Sequence, residues 1–183
     1  MEIGHNIARR RKALGLTLSD LSERCGISPG MLSDVENAKK NPTIRTVSQI
    51  ADALGCTISE LVDETVNNCG KQILRQSERH TLVDPEQGDE REEIAPGFRC
   101  RGVEIAVYRI PPNGQTSIFA PHPPGLAEFV LVVRGAIEVT VGDERFELQE
   151  GDSASYNPHA PHGFRNLTGA VAELVLVIDH NPR

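Results

Sequence analysis

The chain has 183 residues, 38% of them hydrophobic and 25% charged, with a net charge of −7. That length suits one large domain or two small ones. No apolar run reaches the roughly 18 residues of a membrane span, and no signal-peptide pattern opens the chain, so the expected location is cytoplasmic.

Charge is unevenly divided. Residues 1–63 hold eight Lys/Arg and eight Asp/Glu, whereas the remainder holds eleven and eighteen. Arg9-Arg10-Arg11-Lys12 is the dense cationic cluster of the less acidic part. Phosphates respond to such a local patch, so overall acidity does not exclude a nucleic-acid partner. The cysteines at 25, 56, 69 and 100 have neither C-x-x-C spacing nor a histidine companion at zinc spacing, and four free thiols are expected.

In chain order, Ile3, Ile7 and Leu14 fall on one face of a first helix, with Gly15 as its stop. Thr17 or Ser19 caps a second helix whose first turn is acidic. Ser28 caps a third, with Pro29 at the first helical position. Asn41-Pro42-Thr43 opens a fourth helix to about Leu54, and Ser59–Val62 forms a fifth. Leu18, Leu21, Ile27, Leu32, Val35, Ile44, Val47, Ile50, Ala51 and Leu54 recur at helical spacing, broken near Gly26, Pro42 and Gly55. The pair around Gly26 has a helix-turn-helix layout, whose second helix fits the DNA major groove.

The polar stretch 64–72 reads as a linker between a domain over 1–63 and another over 73–183. About ten strand-like runs follow: KQILR, HTLVD, VEIAVYRI, TSIFA, EFVLVV, AIEVTV, RFELQ, SASY, HGFRN and AVAELVLVID. Gly142-Asp143 marks a hairpin, and the whole suits a sandwich or barrel. DPEQGDEREEIAPG, residues 84–97, is expected to be an acidic surface loop.

Residues 1–62 resemble the XRE, or Cro/phage-repressor, type of helix-turn-helix regulator through I-S-P-G-M-L-S-D-V-E-N and N-P-T-I-R-T-V-S-Q-I-A-D-A-L-G. The resemblance implies that Ser28, Pro29, Gly30, Ser33 and Asp34 face DNA while Met31, Leu32 and Val35 face the core. It sets Asn37, Lys39, Lys40 and Asn41 near phosphates and pairs Arg11 with Glu36. Leu18 stands where the family often has a phosphate-binding Gln. Pro29 and Gly30 offer no hydrogen-bonding side chain, so base readout leans on Ser33, on Asp34 (which can accept from cytosine N4) and on DNA shape.

Residues 100–180 resemble the cupin barrels through Gly114, His122, Glu128 and Gly135, then Gly151, His162 and Asn166. Pro124 occupies the second histidine position of the first motif, and Asn157 and His159 replace the Pro and Gly of the second. The two resemblances together imply a multidomain α + β chain: a five-helix bundle followed by a double-stranded β-helix barrel. His122, Glu128 and His162 either bind a divalent metal (Fe, Zn or Mn) or sit in an empty or organic-ligand pocket, where they hydrogen-bond the effector or each other. His159 reads as a surface residue. Tyr108, Phe119, Phe129, Tyr156 and Phe164 either line a pocket or fill the core.

The function implied is a dimeric transcription regulator, a repressor by default, binding an operator under control of a small molecule. Amino acids, polyamines and related metabolites are the effectors that the resemblance suggests, and no enzymatic activity is expected. The alternative is a mononuclear iron oxygenase, because hydroxypropylphosphonate epoxidases also resemble this pairing of domains. Against that, five residues rather than three separate His122 from Glu128. A binding module without operator specificity is a third reading.

Overall fold

A computed structural model describes residues 3–62 and 73–180. The chain divides into two compact units, Met1–Thr65 and Val66–Arg183. The linker expected over 64–72 lies outside the described residues. No helix among those described is long and apolar enough to cross a membrane.

The first unit holds helices α1 (Ile3–Ala13), α2 (Leu18–Cys25), α3 (Pro29–Glu36), α4 (Ile44–Leu54) and α5 (Ile58–Val62). Local chemistry sets their ends. Thr17 closes a capping box with Asp20, whose carboxylate accepts from Thr17 N and Oγ1 at 2.8 and 2.7 Å. Those bonds, led by the one from the backbone, hold the Asp20 pKa below its ordinary value. Gly26 ends α2 in the left-handed region at φ 71°. Ile7, Leu21, Leu32, Val35, Val47, Ile50 and Leu54 form the core. Gly4 seats α1 against α3, since a Cβ there would lie 2.2 Å from the Val35 carbonyl oxygen. Leu14 departs from the reading of α1: it follows the helix and is exposed, because the turn at Gly15 carries it off the buried face.

Among its described residues the second unit contains nine strands: β1 (Thr81–Val83), β2 (Glu90–Glu93), β3 (Val103–Ile110), β4 (Ala127–Arg134), β5 (Ala136–Val141), β6 (Glu144–Gln149), β7 (Ser153–Tyr156), β8 (His162–Asn166) and β9 (Ala172–Asp179). They form an antiparallel six-stranded sheet, ordered β1-β2-β3-β9-β4-β7, and a three-stranded sheet, β6-β5-β8. The β5–β6 hairpin turns at Gly142-Asp143, with Val141 opposite Glu144. Asn166 ties the end of the barrel together. Its Nδ2 donates to the carbonyls of Ile110, Pro111 and Ala170, and its Oδ1 accepts from Thr168 N and Oγ1.

The strand expectations fail at three places. Ile73 to Arg75 of KQILR form no strand, and Ile73 is exposed. TSIFA forms no strand: the bridges there are isolated, Gln115 to Arg165 just before it and Phe119 to His162 within it. The stretch 84–97 is not a plain surface loop. It contains β2, and Asp84, Asp89 and Arg91 within it are buried. Arg91 pairs with Glu104 and Asp84 accepts backbone N–H groups inside the fold, and β2 joins β3 along Glu90–Glu93. Cys25 and Cys56 are free and buried, but Cys100 is disulfide-bonded, which corrects the expectation of a free thiol there. Chain spacing does not disclose which sulfurs meet in space. Cys69 lies outside the described residues.

Candidate nucleic-acid interface and barrel site

The α3 helix starts where Ser28 Oγ accepts from Met31 N at 3.3 Å and Pro29 occupies a position that needs no donor. Ser28, Pro29 and Gly30 are exposed, Ser33 and Asp34 are half-buried, and Leu32 and Val35 point into the core. Met31 is only half-buried. Asn37, Lys39, Lys40 and Asn41 follow α3 on an exposed loop. The Asn37 amide donates to the Ser33 carbonyl at 2.7 Å, which fixes the helix end beside that loop.

Arg11 lies beneath this surface. Its Nε and Nη2 donate to the two Glu36 carboxylate oxygens at 2.7 and 2.8 Å, and Nη1 donates to the Leu16 carbonyl at 2.7 Å. This fork joins α1, the α1–α2 turn and α3, and the bonds to Glu36 raise the Arg11 pKa. The cationic run therefore splits. Arg9 and Lys12 are exposed, Arg10 reaches Glu60 at 3.6 Å, and Arg11 is a structural tie with no free face for phosphate.

Register on the six-stranded sheet explains the second site. Glu104, Ile178, Glu128 and Tyr156 are cross-strand partners in succession, so their side chains share the inner face. His162 enters from β8 and His122 from the segment before β4, held by its backbone N–H to the Pro158 carbonyl at 2.8 Å. The donor atoms of His122, Glu128 and His162 lie within 4.8 Å of one another. Glu128 Oε1 is 3.4 Å from His162 Nε2 and 3.7 Å from His122 Nε2. A carbonyl only accepts, so the 3.0 Å contact of His162 Nδ1 with Ala160 O puts a proton on Nδ1. The Nε2 lone pair of the neutral ring then faces a carboxylate oxygen, an arrangement that calls for a proton or a cation between them.

Around this centre, the Phe119 ring lies 5.5 Å and the Tyr156 ring 6.4 Å from the His162 ring, and Tyr108 and Phe164 are 6.2 Å apart. The Tyr156 hydroxyl is buried without a hydrogen-bond partner, and burial, then the Glu128 charge, push its pKa far up. Phe129 departs from the expected set because it alternates out of register with Glu128 and is exposed on the outer face. Pro124 and His159 are exposed, and His159 Nδ1 contacts its neighbour Asn157 O at 2.9 Å. Periodicity alone did not reveal Arg91 or Glu104, which pair inside the barrel: Arg91 sits in a stretch that read as a surface loop, and Glu104 is a charged residue within an apolar strand run. The register of β2 on β3 is the signal that places them inward.

A helix-turn-helix family model matches residues 7–61, and a cupin domain model matches residues 106–178. Over 63 residues the chain is 41% identical to the uncharacterized HTH-type transcriptional regulator y4dJ of Sinorhizobium fredii, covering 34% of this chain and 82% of that one. The chain belongs to the XRE-type helix-turn-helix transcriptional regulators, and carries a cupin domain after its DNA-binding bundle. This regulator is also similar throughout its length to a solved HTH_3-family transcriptional regulator from Vibrio cholerae. That likeness has 26% identity and a TM-score of 0.83, and covers 100% of this chain and 96% of the other. The iron(II) form of HppE is similar at 21% identity and a TM-score of 0.51, covering 96% and 97% of the two chains. At that identity the likeness is one of fold, and the oxygenase reading gains no support over regulation.

Proposed function

We propose that the occupant of the barrel controls how this regulator holds its operator. The supporting observation is the convergence of two imidazoles and one carboxylate, Glu128 and His162 buried and His122 half-buried, in the barrel of a DNA-binding regulator. The donor set fits a divalent Fe, Zn or Mn ion. Glu128 Oε2 has no hydrogen-bond partner, and the Nδ1 of His162 is fixed in the tautomer that frees Nε2. Such an ion supplies a positive charge and open positions for an oxygen or nitrogen donor of a small molecule. Phe119 and Tyr156 pack beside His162 and confine that ligand.

At the DNA end, the exposed first turn of α3 (Ser28, Pro29, Gly30) meets the major groove, with Ser33 and Asp34 deeper on the same helix. Asn37, Lys39, Lys40 and Asn41 approach the backbone phosphates. With little hydrogen-bonding capacity at the tip, DNA shape supplies much of the discrimination. A homodimer places two such helices about one DNA turn, roughly 34 Å, apart. The effector acts through its different affinity for two arrangements of those helices, and occlusion of a promoter makes the protein a repressor. This role assigns the barrel to sensing rather than to catalysis, in the cytoplasm where the operator is.

Footprinting of the DNA upstream of the regulator's own gene, with metal analysis of protein purified without chelator, tests the reading. A protected palindrome and about one equivalent of Fe, Zn or Mn per chain are expected. No protected site would contradict the regulatory role, and metal-free protein that still answers its effector would assign the three residues to direct hydrogen bonding.

A further inference from the structure

Away from the His–Glu centre, two aspartates face each other across the turn of the β1–β2 hairpin. Asp84 N donates to Asp89 O at 2.8 Å, and Gly88 N donates to Asp84 O at 2.9 Å. This continues the register of Val83 with Glu90 and puts both side chains on the face of Leu82 and Arg91, toward the barrel interior. Both are fully buried. Asp84 is provided for: its Oδ1 accepts from Glu86 N and Gln87 N at 2.9 and 3.0 Å, and its Oδ2 lies 3.5 Å from Ser117 Oγ. Neither oxygen of Asp89 has a hydrogen-bond partner. A buried, unpaired carboxylate beside a second acid is costly, whereas a neutral carboxyl in the same place costs far less.

We infer that the Asp84–Asp89 pair is a proton-operated latch: Asp89 is protonated while the β1–β2 hairpin is seated on the barrel, and loss of that proton releases the hairpin. The element suits release, because β1 is a three-residue edge strand paired to β2 alone. The groups facing Asp89 are few. Its own hairpin supplies Asp84, and Arg91, which is engaged by Glu104. From β3 comes Tyr108, whose pKa is itself raised, by burial first. The segment after β3 presents the uncharged Ser117. Among the described residues no cation pairs with Asp89. Burial, then the Asp84 charge, push the Asp89 pKa up to about 7.

The sign follows from linkage. A carboxyl raised in the folded state stabilises the hairpin fully below the ordinary carboxylate range, and that contribution is lost as pH rises through about 7. Release would uncover Tyr108 and one side of the effector barrel, so occupancy of the barrel would depend on pH as well as on effector.

Hydrogen exchange of residues 81–93 in the full chain, corrected for intrinsic rates, tests this at about pH 6 and about pH 8. Protection should fall about tenfold between them, while Asp89→Asn should keep its protection at both. Equal protection at the two pH values in the native chain would overturn the latch, as would an Asp89→Asn profile parallel to it. If that variant does not fold, carboxyl-carbon NMR of the unaltered protein decides. One aspartate titrating near neutrality supports the latch, and titration of every aspartate in the ordinary acidic range contradicts it.

Discussion

The two units dispose of charge in opposite ways. Among the described residues of the helical bundle the buried polar ones are Asn6, Arg11, Ser48 and Ser59, so a single charged side chain is interior there. In the barrel Asp84, Asp89, Arg91, Glu92, Arg99, Glu104, Glu128 and His162 are all buried. A DNA reader has its ligand outside and keeps its charge at the surface. A barrel that encloses a small molecule needs polar groups inside, and each must be compensated there.

That contrast can be broken one residue at a time. Arg91→Met should have the largest effect, about 3–5 kcal/mol in denaturant unfolding, because it leaves Glu104 buried without its guanidinium. Adding Glu104→Leu should recover much of the loss; no recovery would mean that the pair does not act as a unit. Gly4→Ala comes next, at about 1–3 kcal/mol in the melting of the bundle, since the new methyl meets the Val35 carbonyl. Thr17→Ala should cost about 1 kcal/mol by the same measurement, through loss of the capping box. Lys39→Ala with Lys40→Ala should change stability by less than about 0.5 kcal/mol. Its effect belongs to DNA: weaker binding to all sequences alike, with the slope of log affinity against log salt flattened by about 2. An unchanged slope would remove both lysines from the phosphate surface.

The same contrast explains what the sequence disclosed. The bundle was legible because its core recurs every 3.6 residues and its ends bear cap residues, as at Thr17, Ser28 and Gly26. Leu14 misled because an apolar residue one step beyond a helix shares its period without its burial. The long strands β3, β4, β5 and β9 were legible from apolar runs. The strand β2 was not, since Glu-Arg-Glu-Glu is buried by ion pairs with residues far along the chain, such as Glu92 with Arg109 and Arg91 with Glu104. At the barrel centre, the resemblance to the cupin barrels singled out His122, Glu128 and His162. The Ala160 carbonyl that orients one imidazole, and the outward turn of Phe129, depend on register that only the folded sheet supplies.

Operator binding measured by fluorescence anisotropy, on protein as purified, after chelation, and after restoring Fe, Zn or Mn, tests most directly whether barrel and bundle are coupled. Affinity should shift at least about fivefold on chelation, return with the metal, and stay at the chelated value in His162→Ala whatever is added. Superimposable isotherms in all these states, with metal shown to be bound and then removed, would contradict it.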